Sequence, residues 1–503
     1  MPARRAPSMP GAMMFRFLNE TRRIVEKPWG ANAPSQLWRY NLHYFDDLNA
    51  FEAEARHRWH VEAIASWIRD NPPVSGDSWA PYPTSLRVVN WIKWVLGGAT
   101  LEAPVVHSLA MQVRALTQRL EYHLLGNHLF ANAKALVFAG LFLEGREAQR
   151  WLEKGMTILA HEIPEQILAD GGQFERSPMY HALVLEDVLD LINVATALSD
   201  GVPEKWRAFV GSWPALAQRM RAWLAAMCHP DGEISFFNDA AIGMAPSPVE
   251  LERYANELVG APGSAAAAAD SFRVLHLAHT GYVRADAPDA VLLIDVAPVS
   301  PDYLPGHAHA DTLSFELSLF GQRVIVNGGT SRYGLGPERE DERGTPAHST
   351  VTVDGEDSSE VWAGFRVARR ARPFDLAVSH EGRRLRVSCA HDGYRRLAGR
   401  PVHRRLWLLQ PGVLRVEDRV EGRFKSAVAR FHLHPAVDCT LDESGSSGRL
   451  RVPSGQTVRW RASGGSARVE PSFYCPVFGR RDPTRCLAVE LDGASPVCME
   501  LTW

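Results

Sequence analysis

The sequence predicts an α+β chain of two domains, a helical toroid or solenoid followed by an antiparallel β-sandwich. Three observations carry this. At 503 residues the chain exceeds one ordinary domain. Its first half repeats apolar residues at three- and four-residue steps, the period of an amphipathic helix. Beyond residue 272 short alternating segments rich in Val, Ile, Thr and aromatics take over, separated by Gly, Asp and Pro turns.

The helical reading covers 51–70, 85–96, 103–124, 130–143, 146–163, 182–198 and 206–227, where Leu, Ala, Glu and Arg dominate. Joints fall at 71–73, 170–172, 200–203 and 229–232, all rich in Pro, Gly or Asp. Paired helices with short joints imply a toroid or solenoid. The stretch 261–271, APGSAAAAADS, reads as a linker, which places the domains at 1–265 and 266–503. Strands are expected at 272–276, 281–285, 290–296, 313–319, 323–326, 349–353, 385–390, 403–409, 413–420, 427–434 and 487–491.

Bulk properties narrow the function. The hydrophobic fraction is 46% and net charge is -3, so nothing argues for nucleic acid. Arg366, Arg369, Arg370 and Arg372 cluster locally and read first as a solvated edge. Six cysteines without regular spacing read as free core thiols. No apolar run is long enough to span a membrane. The N-terminal stretch lacks a long apolar core and makes a poor signal peptide, so a cytoplasmic chain is the default expectation. Neither phosphate-binding glycine motif is present, and there is no GxSxG elbow.

Four clusters remain. In PGHAHADTLSFEL, His307, His309 and Asp311 alternate along a segment expected to be extended, which would place them on one side. Such a group can bind a divalent ion, neutralise a carboxylate, or be satisfied by ordinary hydrogen bonds. In GNHLFANAKAL, a helix cap explains Asn127 but not His128 or Asn132. In DGGQFERSPMYH, Ser177 and Pro178 fit a helix start, with Tyr180 and His181 in its first turn. In RGTPAHSTVTVDGEDSSEVW, His348 opens a strand and could join His309 across the Asn327 segment; imidazole suits Zn and Mn alike.

Together with WRYNLHYFDDL and WAPYPTSLRVVNW near the N-terminus, and with VNGGTSRYG, these clusters resemble the heparinase II/III family of polysaccharide lyases. The resemblance covers most of the chain. It implies an incomplete (α/α) toroid followed by antiparallel β-sheets, and β-elimination on a uronate-containing, glycosaminoglycan-like anionic polysaccharide. That chemistry abstracts a C5 proton beside a carboxylate, so the site must neutralise the carboxylate and supply an acid and a base. By resemblance Tyr180 protonates the departing O4 and, for one epimer, also takes the C5 proton, which would require positive groups favouring its phenolate. Asn127 takes the carboxylate-neutralising position, with His128 beside it as base or neutraliser. His307 takes the position of the β-domain histidine.

The resemblance also implies a structural divalent metal, Zn or Mn, at His309, Asn327 and His348. Here the chain departs from the family pattern, because Asn327 stands where Asp is common and offers oxygen without charge. Substrate contacts are expected from Arg87, Asn41, Tyr44 and Trp79, since Arg pairs with anions and aromatics stack on sugars; core packing is the competing reading for Tyr44 and Trp79. Two other functions place similar demands on these residues: a uronosyl C5-epimerase, and a non-catalytic glycan-binding protein of capsule or exopolysaccharide assembly.

Overall fold

The computed structural model describes residues 2–27, 29–100, 102–261, 272–493 and 495–503. Apart from Ala261, the stretch read as a linker lies outside the described residues. The chain forms two compact units that interleave along the sequence. One comprises 1–171, 182–221 and 243–263; the other comprises 172–181, 222–242 and 264–503.

The first unit is helical. The expected helices appear at His57–Asp70, Pro81–Leu96, Ala103–Thr117, Gly126–Phe142 and Arg146–Gln166, with boundary shifts of up to seven residues. Gln36–Leu42 and Pro248–Val259 are helices that the apolar pattern alone did not mark. Gly126–Phe142 and Arg146–Gln166 approach through glycines. A Cβ on Gly140 would meet Leu152 at 2.6 Å, and one on Gly155 would meet the Ala133 carbonyl at 2.8 Å. The core is dense in tryptophan, with Trp38, Trp67 and Trp91 fully enclosed.

The second unit is an antiparallel sandwich. Its nine-stranded sheet runs, from one edge, Gly465–Tyr474, Asp482–Leu491, Ala427–Leu433, Gln322–Val326, Phe315–Leu319, Ala290–Asp295, Tyr282–Ala287 and Arg273–Leu277; Val351–Val353 also pairs with Ala427–Leu433. Its eight-stranded sheet runs Pro373–Glu381, Arg384–His391, Val402–Gln410, Val413–Glu421, Val497–Thr502, Thr457–Ser463, Ser447–Arg451 and Asp438–Leu441. Inward residues of both sheets share one core that includes Leu317, Phe431, Trp407 and Trp460.

Several strands of the eight-stranded sheet escaped the sequence reading. Thr457–Ser463 alternates exposed and buried residues without a break, with Thr457, Arg459, Arg461 and Ser463 outward and Val458, Trp460 and Ala462 inward. The six cysteines are free. Among the described residues no helix is long and apolar enough to cross a membrane.

Candidate active site

In the second unit, three loop segments and the short helix Pro337–Arg343 meet around Asp239, a residue that the sequence reading did not single out. Asp239 is fully buried and accepts from both imidazoles of the opening motif. His307 Nδ1 lies 2.9 Å from Oδ2, and His309 Nε2 lies 2.8 Å from Oδ1. The Arg339 guanidinium pairs with both carboxylate oxygens, and Thr330 donates at 3.3 Å. Burial alone would raise the Asp239 pKa; Arg339, His307 and His309 outweigh it and hold the carboxyl well below its usual range.

The expected extended geometry at His307 and His309 is corrected. Residues 306–314 form turns, Leu313 has a positive φ of 62°, and the strand begins only at Phe315. The two imidazoles still converge, because Asp239 gathers them from two sides. The loop is pinned by backbone contacts: the Asp239 N–H donates to the His307 carbonyl at 2.9 Å, and Ala310 N–H to the Arg343 carbonyl at 2.8 Å. Arg343 returns two bonds to the Ala308 carbonyl.

Tyr180 sits in the first turn of the helix Pro178–Ala197, where the Ser177 hydroxyl accepts its backbone N–H at 3.2 Å, as the helix-start reading expects. Its ring stacks on His307 with centroids 3.9 Å apart. Its hydroxyl is 2.9 Å from that of Tyr333, a second tyrosine that the sequence reading passed over. Burial first, then Tyr333 and the Asp239 charge, push the Tyr180 phenol well above its usual pKa. The expected phenolate is therefore not what this environment favours. The neighbouring charge is negative, and the hydroxyl stands protonated.

The implied metal residues meet only in part. His309 Nδ1 and His348 Nε2 face each other at 3.2 Å. Burial lowers both imidazoles, His309 to about 4, so they are neutral, as ligands must be. The Asn327 oxygen already accepts the Ser349 N–H at 3.0 Å, and its nitrogen donates to Ser314 at 3.3 Å. Asp311 turns away to the Asn238 N–H at 2.9 Å. Two imidazoles and an amide oxygen with a prior partner do not make a complete set for a divalent ion. Among the described residues the one grouping of three His, Cys, Asp or Glu close enough to share an ion is His161, Glu162 and Glu165, on the helix Arg146–Gln166, where the imidazole Nδ1 lies 3.3 and 3.4 Å from the two carboxylates.

In the first unit, Asn127 and His128 lie in the first turn of Gly126–Phe142. Leu125, not Asn127, occupies the cap position. Burial raises the Tyr82 phenol above its usual pKa, and the Asn127 amide beside it partly offsets that. His128 stacks on the Tyr82 ring at 4.5 Å and meets Glu121 at 3.1 Å. Asn132 is a buried strut that ties Glu121 to Ser85.

The four expected substrate contacts fare differently. Arg87 is enclosed, bonded to Gln112, the His43 carbonyl and Thr84, and stacked on Trp67 at 3.9 Å. It holds the helical core together and is not placed to clamp a substrate anion. Trp79 is likewise core, bonded to the Asn71 carbonyl and packed on Trp67. Tyr44 is buried against Tyr82, and Asn41 donates to the Leu37 carbonyl within its own helix. Three arginines of the 366–372 cluster are ion-paired, Arg369 with Glu360 and Arg370 and Arg372 with Asp302, as a solvated edge requires.

Comparison with known proteins agrees with this architecture. The family model for the heparinase II/III N-terminus matches residues 32–256, and that for the heparinase II/III-like C-terminal region matches 270–501. The heparin-sulfate lyase of Pedobacter heparinus is 28% identical over 254 residues, 46% of this chain and 36% of that protein. The chain thus matches little more than a third of the length of that curated relative. The crystal structure of heparinase III superposes with a TM-score of 0.72 at 18% identity, over 93% of this chain and 77% of that one. Heparan sulfate lyase HepC from Pedobacter heparinus superposes at 0.63 and 19% identity, over 98% and 81%. At these identities the structures speak to the fold.

Proposed function

Because the chain belongs to the heparinase II/III-like family, we propose that it is a polysaccharide lyase, cleaving a uronate-containing, glycosaminoglycan-like chain by β-elimination. The observation that carries the reading is the Tyr180–His307–Asp239 arrangement. Asp239 accepts the His307 Nδ1 proton, which leaves Nε2 as the nitrogen that can act as base. Tyr180, stacked on that imidazole, holds its proton and so is the group that can give it to the departing oxygen.

The proposed step balances on these two groups. His307 Nε2 takes the C5 proton, and the C–H electron pair forms the C4=C5 double bond. The C4–O4 bond breaks, and O4 takes its proton from the Tyr180 hydroxyl. This divides acid and base between two residues, whereas the resemblance alone allowed Tyr180 to do both. Tyr333 orients the Tyr180 hydroxyl. Asn127 keeps the carboxylate-neutralising role that the resemblance implies, and His128 keeps only the neutraliser reading, since the base is His307. His309, Asn327 and His348 are read as a structural corner that braces the loop, with no step passing through a metal. The division at 265/266 is retained as a proposed domain boundary.

The test is incubation with heparosan, heparan sulfate, hyaluronan, chondroitin and alginate, followed through the ultraviolet absorbance of the unsaturated uronate. Absorbance rising on one of them supports the lyase. Solvent deuterium entering C5 without that rise identifies an epimerase, and glycan binding with neither change identifies a non-catalytic binder.

A further inference from the structure

The outward face of the eight-stranded sheet carries a set of arginines that the catalytic chemistry does not use. Arg384, Arg386, Arg449, Arg451, Arg459 and Arg461 alternate with buried apolar residues along Arg384–His391, Ser447–Arg451 and Thr457–Ser463, and all six are exposed. None of the six forms an ion pair among the described residues. Arg415 on the same face shares Glu417 and Glu500, at 3.7 and 3.5 Å.

Cross-strand register brings like charges together. Arg449 lies directly opposite Arg459. Such a pairing is unfavourable in an isolated sheet. Register also builds a row from Arg386 through Leu408, Arg415 and Glu500 to Arg461. At the Arg386 end the face dips into a groove of about 650 Å³, lined by Arg384, Arg386, Arg415, Gln410 and Val413, with Glu381 at its side. The whole chain carries a net charge of -3, so this positive face is a local concentration and not a general property.

We propose that this face is a second binding site for anionic polysaccharide, separate from the Tyr180 site, with the groove seating sugar residues and the arginine row pairing their carboxylates or sulfates. Arginine suits such groups because its planar fork pairs bidentately and cannot be deprotonated. Strand spacing of about 4.8 Å and a two-residue step of about 6.8 Å give a dense lattice of donors for an extended polyanion. The choice of polysaccharide over other polyanions rests on the function proposed above.

The test uses the full-length protein and a variant with Arg386→Ser, Arg449→Ser, Arg459→Ser and Arg461→Ser. These are exposed strand positions, and matching circular dichroism and melting will verify the fold. The expected results are elution from immobilised heparin at lower salt, roughly ten-fold weaker heparin binding, and a KM that rises for long polymer but not for a tetrasaccharide, with kcat unchanged. Equal retention of variant and parent on heparin overturns the site. Equal retention of the parent on DNA-cellulose and on heparin overturns the assignment to polysaccharide. Heparin retention is read without turnover. A protein that cleaves nothing but loses retention on substitution therefore refutes the lyase and leaves this site standing.

Discussion

His307 and His309 are held by opposite oxygens of one carboxylate, that of Asp239, at 2.9 and 2.8 Å. One buried acid thereby sets the tautomer of the proposed base and anchors the neighbouring structural imidazole, while Arg339 balances its charge.

Asp239→Asn is expected to lower kcat about 10²–10⁴-fold with little change in KM, because an amide can present the wrong partner to His307. It should also destabilise the protein by about 3–5 kcal/mol, since Arg339 is left buried and unpaired. Kinetics with thermal melting check both. Wild-type kcat in a folded variant would contradict the role given to Asp239.

Tyr180→Phe should reduce turnover at least about 10²-fold while glycan binding persists. Tyr333→Phe removes one neutral hydrogen bond to that hydroxyl and should cost about five-fold. Asn127→Ala should lower kcat by about 10²–10³-fold if its amide meets developing charge. A Tyr180→Phe enzyme with unchanged turnover sinks the proposed acid.

Chelation should leave both melting temperature and turnover unchanged, and elemental analysis should find well under one zinc or manganese per chain. The reason is that the Asn327 oxygen already serves Ser349 and carries no charge. Stoichiometric metal that resists dialysis would show that His309, His348 and Asn327 close around an ion after all.

Acid should destabilise the fold below neutrality. Burial lowers the pKa of His229, His391 and His403 in the folded protein. The unfolded chain takes up protons below about 6.5 while these groups stay neutral, so stability present above that pH is lost as pH falls. Melting temperatures measured from pH 7 down to 5 should drop steadily; a flat profile would refute the assignment.

Arg87→Met should lower the melting temperature and leave KM unchanged, because Arg87 bonds to Gln112, Thr84 and a backbone carbonyl inside the helical core. A large rise in KM with unchanged melting would restore it to the substrate.

Local periodicity determined much of this protein. Three-to-four-residue steps marked most helices, and alternation marked eight of the nine strands in one sheet and three of the eight in the other. Motif chemistry singled out Tyr180, His307, His309 and His348, because paired histidines and a helix-start tyrosine are unusual enough to read in one dimension. What the sequence could not determine was who meets whom. Asp239 in FFNDA and Tyr333 in TSRYG are ordinary residues until loops far apart in the chain converge, which places Asp239 between two histidines about 70 positions away and Tyr333 on Tyr180 across 153. The same holds in reverse for Arg87 and Trp79, whose side chains suit a sugar but whose burial assigns them to the core. Residue type limits what a side chain can do. Burial and partners select among those options, because desolvation sets charge and only neighbours from other segments can satisfy it.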